Sequence, residues 1–169
     1  MNLTGHYVVQ HVLPAMCELL PGQMRGRPGL AMVVAIALQE SDFRARRQHG
    51  NGPARGFWQF ELGGVRGVLR HHATSVAAAN LLTLLGYEGQ SPEAVHAAIE
   101  HNDVLAAGFA RLLLYSDPRL PPQSADGSLD GWLQYLACWR PGKPHQDRWA
   151  SNFQEAWSID WAAVGMGMR

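Results

Sequence analysis

The chain has 169 residues, 47% of them hydrophobic and 17% charged, with 14 Lys and Arg against 14 Asp and Glu. That length suits one domain around a single sizeable core, and the composition excludes a disordered chain. A formal net charge of zero offers no overall cationic face, so no nucleic-acid partner is expected.

Residues 7–20 are the first helical candidate, weakened at Pro14. The N-terminal residues lack the basic-then-apolar pattern of a signal peptide. The apolar stretch that follows is interrupted by His11, Pro14 and Glu18 and is too short to span a bilayer. The expectation is no signal peptide and no membrane anchor. Pro21, Gly22, Gly26 and Gly29 then break the chain, and Pro28 suits the opening turn of a helix over residues 28–39. That helix is apolar nearly all round (Leu30, Met32, Val33, Val34, Ile36, Leu38), which predicts burial.

From residue 41 to 64 the hydrophobic period disappears, and five glycines with Pro53 indicate an ordered loop or a short β excursion. Helices resume over residues 73–85. Ser91 is an N-cap residue with Pro92 in first helical position, opening a helix to about Glu100. From Asn102 or Asp103 to Tyr115, Leu105, Phe109, Leu112 and Leu113 share one helical face. After a turn-rich connection over residues 117–127, Leu129, Trp132, Leu133 and Leu136 read as another apolar face, stopped by Pro141-Gly142. A last helix runs from about Gln146 to Trp157, and residues 165–169 read as a frayed tail. The predicted organisation is mainly α: an N-terminal helical segment (1–27) packed on the domain, a domain of residues 28–160, and a tail (161–169).

Cys17 and Cys138 lie far apart in apolar stretches and read as buried free thiols, with a long-range disulfide left open. No CxxC or Cys/His array points to a metal site, and neither the His71-His72 pair nor His96 and His101 has a carboxylate or thiol at ligand spacing. No metal and no cofactor are expected.

One segment carries chemistry: Gln39-Glu40-Ser41-Asp42-Phe43, a polar loop, then Arg55-Gly56-Phe57-Trp58-Gln59-Phe60-Glu61. Glu40 falls at the C-terminal end of the apolar helix. Backbone carbonyls there bring partial negative charge, and both that field and desolvation raise a carboxyl pKa. A carboxylic acid kept neutral near neutral pH is what protonation of a glycosidic oxygen requires. Position alone favours a solvated residue ending a helix, and it is the surrounding pattern that changes this.

The surrounding pattern resembles the lytic transglycosylase and goose-type lysozyme group. Its motif, a helix ending in Glu-Ser-x-aromatic and then Gly-hydrophobic-hydrophobic-Gln, reads here as Glu40-Ser41-Asp42-Phe43 and Gly56-Phe57-Trp58-Gln59. The resemblance covers roughly residues 29–157. It implies a lysozyme-like fold (α+β with minimal β) and Glu40 as catalytic acid/base. It also implies that Ser41 fixes the local turn and that Gln59 lies beside the bound sugar. The group's later aromatic-Asn-x-Gly element, whose aromatic hydroxyl approaches the catalytic carboxylate, corresponds to Trp139-Arg140-Pro141-Gly142. Trp139 thus stands where Tyr is usual and Arg140 where Asn is usual. Trp stacks on sugars but has no hydroxyl.

The substrate so implied is the peptidoglycan glycan strand, cut between N-acetylmuramic acid and N-acetylglucosamine by a lytic transglycosylase or muramidase. Gly56, Phe57, Trp58, Gln59, Ser41 and Trp139 shape the binding site. A hydrolase usually needs a second carboxylate. Among Asp42, Glu61 and Asp103, Glu61 is the best placed, but for each a solvated surface acid is the stronger reading, which favours the single-Glu mechanism. Of the six tryptophans, Trp58 and Trp139 are read as groove residues. Trp132 is read as core, with Trp149 and Trp157 holding down the last helix. Arg44, Arg46 and Arg47 suit an acidic polymer or simply a solvated loop.

In overall character the motif loops look like lysozyme-like proteins of phages and prophages. The expected setting is then a virion or a host cytoplasm, with virion- or holin-assisted delivery to the periplasm and wall. The alternative is a non-catalytic phage virion, ejection or glycan-binding protein with a lysozyme-like fold, which the altered Trp139-Arg140 element favours.

Overall fold

A computed structural model of the chain describes residues 1–48, 50 and 52–165. Helix α3 (Arg27–Glu40) is enclosed along its length: every residue from position 29 to 39 is buried. Pro28 sits in its first turn, where the missing N–H has no helical partner to lose. An apolar surface on all sides must be covered on all sides. Helix α9 (Gln146–Trp157) runs along one face of α3 and α7 (Asp103–Tyr115) along another.

The N-terminal segment starts earlier than predicted, because Asn2 caps it: its Oδ1 accepts the Gly5 N–H at 2.9 Å. Helix α1 (Leu3–Tyr7) passes through a π-helical turn (Val8–Val12) into α2 (Leu13–Leu19). At that turn the Leu13 N–H bonds the Val8 carbonyl, five residues back. The wider turn comes just before Pro14, which then occupies the first turn of α2, so helical direction survives a proline. Val8, Leu13 and Met16 are fully enclosed in the same core as α3 and α7.

Helix α4 (Leu62–Arg70) lies where only a loop was expected up to residue 64. Gly63, Gly64 and Gly67 lower its intrinsic propensity; burial of Val65 and Val68 holds it in place. Helices α5 (Ser75–Leu84), α6 (Pro92–Ile99) and α7 follow much as predicted. The Ser91 hydroxyl accepts from Ala94 N–H at 3.2 Å, and Asn102 Oδ1 accepts from Leu105 N–H at 3.0 Å.

Helix α8 (Ser128–Trp139) has the expected extent but a different buried face. Gly131, Trp132, Gln134 and Tyr135 point inward, whereas Leu129 and Leu133 are 64% and 48% exposed. Gly131 permits this approach, since a Cβ there would lie 2.9 Å from the Phe153 ring and 3.1 Å from Met32 Sδ. Trp149 and Trp157 are buried, as expected. The predicted tail is part of the core at Trp161, 3% exposed, and positions 166–169 fall outside the described residues.

The fold is mainly helical. Among the described residues, β pairing is limited to isolated bridges, Arg47 with Arg55 and Arg55 with Phe60. No described helix is long and apolar enough to cross a membrane. Both cysteines are free: Cys17 is buried and Cys138 partly so. Burial pushes the Cys17 thiol up to about 11, which keeps it protonated and inert.

Candidate active site

Glu40 is the last residue of α3, and the chain leaves that helix abruptly. Asp42 and Phe43 both adopt the left-handed conformation, with φ of 50° and 53°. Such a backbone costs a non-glycine residue about 1 kcal/mol. Phe43 is held there by burial against Phe57 and Trp58, with ring centroids 5.6 and 6.4 Å away. The Ser41 hydroxyl donates to the Phe57 carbonyl at 2.7 Å, joining the end of α3 to the Gly56–Gln59 turn. Gly56, at φ 69°, is enclosed: a Cβ there would meet Ile99 Cγ2 at 3.0 Å and its carbonyl at 3.1 Å.

The turn presents its residues unequally. Phe57 is 1% exposed and Trp58 fully enclosed, its Nε1 donating to the Val33 carbonyl inside α3 at 2.8 Å. The expectation that Trp58 and Phe57 line a groove is therefore corrected. Both are core residues that support the turn from beneath, and neither can reach a sugar. Gln59 does face the site. Its Nε2 donates to the carbonyls of Gly56 (2.8 Å) and Ala45 (3.3 Å), leaving Oε1 as the group for a ligand. Trp139 also borders the site. Its Nε1 donates to the Trp58 carbonyl at 2.9 Å, pinning α8 to the turn.

The hydroxyl at Glu40 comes from Tyr135, one helical turn before Trp139. It donates to Glu40 Oε1 at 2.7 Å. The sequence reading placed the missing hydroxyl at position 139 and overlooked Tyr135. The i, i+4 spacing, which puts both rings on one face of α8, was the available signal.

Burial pushes the Glu40 carboxyl up from 4.5 to about 7; the Tyr135 bond favours the anion and opposes the rise, and the Glu61 charge adds to it. Glu61 is exposed and lines the same groove. The other two candidate carboxylates are already engaged. Asp42 Oδ2 accepts from Arg44 Nε at 2.6 Å, and Asp103 is held by both Nε and Nη2 of Arg46, at 2.8 and 2.6 Å.

Glu40 stands where two hollows meet. The first, a groove of about 1190 Å³, runs past Gln59, Glu61, Tyr135, Trp139 and Lys143, above the roughly 300–1,000 Å³ of ordinary small-ligand sites. The second, a pocket of about 330 Å³, is bounded by Arg44, Arg47, Gln59 and Arg148. No family model, curated protein or solved structure matches the chain. What the site does must be argued from its own geometry.

The wall beside Glu40 is tied down by Gln39. Its Nε2 donates to the His145 carbonyl at 2.8 Å, and its Oε1 accepts from Asn152 Nδ2 at 2.9 Å. The 141–145 loop is thereby fastened to α3 one residue from the acid. Gln39, Tyr135, Lys143 and Arg148 are site residues that sequence reasoning passed over. Among the described residues, no group of three or more His, Cys, Asp or Glu side chains is placed to hold a metal ion.

Proposed function

We propose that the chain is a lysozyme-like enzyme that cleaves peptidoglycan between N-acetylmuramic acid and N-acetylglucosamine, as a lytic transglycosylase or muramidase with Glu40 as its acid. The observation carrying this reading is a carboxylic acid with a pKa of about 7, met by a tyrosine hydroxyl, at the junction of two hollows. Such a group is half protonated at neutral pH and can both give and take a proton. A groove of about 1190 Å³ with Glu40 in its lining suits a polymer better than a small molecule.

In the single-acid route, Glu40 gives its proton to the glycosidic oxygen and the N-acetylglucosamine side leaves. The resulting carboxylate then removes the proton from the muramic acid 6-hydroxyl, whose oxygen closes on C1 as a 1,6-anhydro ring. Tyr135 donates a hydrogen bond to the carboxylate while it is charged, which fits an acid that must become a base. The hydrolytic route needs a carboxylate to activate water. With Asp42 and Asp103 bound by arginines, Glu61 is the one that would serve. Delivery to the wall by a virion or a holin belongs to the same proposal.

Digestion of purified sacculi tests it, with products read by mass spectrometry. The wild type should release soluble fragments and Glu40→Gln none. Anhydro-muramic ends mark the transglycosylase, reducing ends the muramidase. A wild type that releases nothing, while still binding glycan, would establish a non-catalytic glycan-binding protein instead.

A further inference from the structure

We propose that the pocket bounded by Arg44, Arg47 and Arg148 is a carboxylate subsite, receiving an acidic substituent of the glycan while the sugar chain passes Glu40. This rests on the glycan-cleaving reading and adds to it a requirement for charge. The chain as a whole is neutral, so three guanidinium groups around a cavity of about 330 Å³ are a local concentration. The pocket's two acids offset them only in part: Asp42 pairs with Arg44 at 2.6 Å, and Glu40, raised to about 7, carries about half a charge at neutral pH.

Among the described residues, the other two arginines are only lightly engaged. Arg47 approaches Glu100 only at 3.9 Å, while the second oxygen of that carboxylate is taken by Arg55 Nε at 2.9 Å. Among the described residues, the hydrogen bond of Arg148 is a long one, from Nη2 to the Leu38 carbonyl at 3.4 Å.

Yet Arg148 springs from a rigid base. Its neighbour Trp149 is 2% exposed and donates to the Ser128 carbonyl at 2.7 Å, and Asn152 on the next turn bonds Gln39. A fixed stem whose planar fork makes one long bond, to the Leu38 carbonyl, is suited to a carboxylate, which guanidinium binds through two parallel hydrogen bonds. Two sources share that chemistry: the lactyl carboxylate of muramic acid, and the carboxylates of a peptide stem attached to it.

Calorimetric titration of the full chain carrying Glu40→Gln, which leaves glycan intact, separates the outcomes. The probes are chitotetraose, a muramic-acid-containing tetrasaccharide with free lactyl carboxylates, its amidated form, and a stem-bearing form. One carboxylate-bearing form should bind about tenfold more tightly than chitotetraose at low salt, and amidation should remove the gain. Gain with the free lactyl form assigns the subsite to that group; gain only with stems assigns it to the peptide. Adding Arg47→Gln and Arg148→Gln should abolish the gain of the acidic glycan over chitotetraose. Equal affinity for neutral and acidic glycans would overturn the subsite and leave the glycan reading standing. Binding of none would overturn both. The amidated probe needs no arginine variant, so a misfolded variant does not remove the test.

Discussion

The hydroxyl of Tyr135 meets the carboxylate of Glu40 at 2.7 Å, joining the middle of α8 to the end of α3. These residues are 95 positions apart in sequence, and the bond acts on the charge state of the acid. A donor to the carboxylate favours its ionised form and holds the pKa below what burial alone would impose.

Tyr135→Phe should therefore raise the Glu40 pKa further. The alkaline limb of the pH–rate profile on sacculi should move to higher pH, and kcat should fall about tenfold, as expected for losing a hydrogen bond to a charged group. A profile unchanged in position would show that the bond does not tune the acid.

Folding stability should carry the same signature. Glu40 is raised to about 7 from an ordinary 4.5. Between those values the folded protein keeps a proton that the unfolded chain has released. The stabilising contribution is thus full below pH 4.5 and is lost as pH rises through 7. The loss is at most about 3 kcal/mol. Glu40→Gln lacks this titration, so its melting temperature should gain on the wild type by about 5 °C between pH 4 and pH 8. A gap equal at both values would mean that burial leaves the carboxyl unperturbed.

Two glycines, one buried beneath the site and one on the groove, should respond oppositely to alanine. Gly56→Ala forces a Cβ into the left-handed region against Ile99 and should cost about 1–3 kcal/mol in chemical denaturation. Gly67, inside α4 with open space around its Cα, should give about 0.5–1 kcal/mol of stabilisation on the same change. Similar effects at both positions would contradict the roles drawn for them.

Trp58 and Trp139 should separate stability from binding. Trp58→Phe removes a bonded, fully enclosed indole and should cost about 2–4 kcal/mol of stability. Trp139→Phe loses one bond at the groove wall and should cost about 1 kcal/mol, with a larger proportional loss of chitotetraose affinity. Calorimetric titration beside denaturation of both variants measures this. Loss of affinity confined to Trp58→Phe would reverse the assignment.

Much of the helical layout could be read from the chain because strong local signals agree with the tertiary demand. The unbroken apolar run from Leu30 to Leu38 had to be buried, and Ser91-Pro92 had to start a helix. The failures occur where local signals and packing conflict. The three glycines of α4 hid a helix held by Val65 and Val68. In α8 the eye follows Leu129 and Leu133, yet the helix turns Gly131 and Tyr135 inward, because the glycine lets it close on Phe153. Position and context singled out Glu40 and the Gly56–Gln59 turn. Which turn residues face solvent was not legible: Phe57 and Trp58 are both buried, and Gln59, where the backbone is left-handed at φ 47°, is the one that reaches the groove. Tyr135 and Arg148 reach the site through long-range packing, which no local pattern encodes.

The most direct test of the central claim is a carbon-13 NMR titration of the Glu40 carboxyl in selectively labelled protein, assigned by its disappearance in Glu40→Gln. A midpoint near pH 7 is the result expected of an acid poised to donate and reclaim a proton beside a sugar. A midpoint near 4.5 would describe an ordinary solvated glutamate and contradict the account.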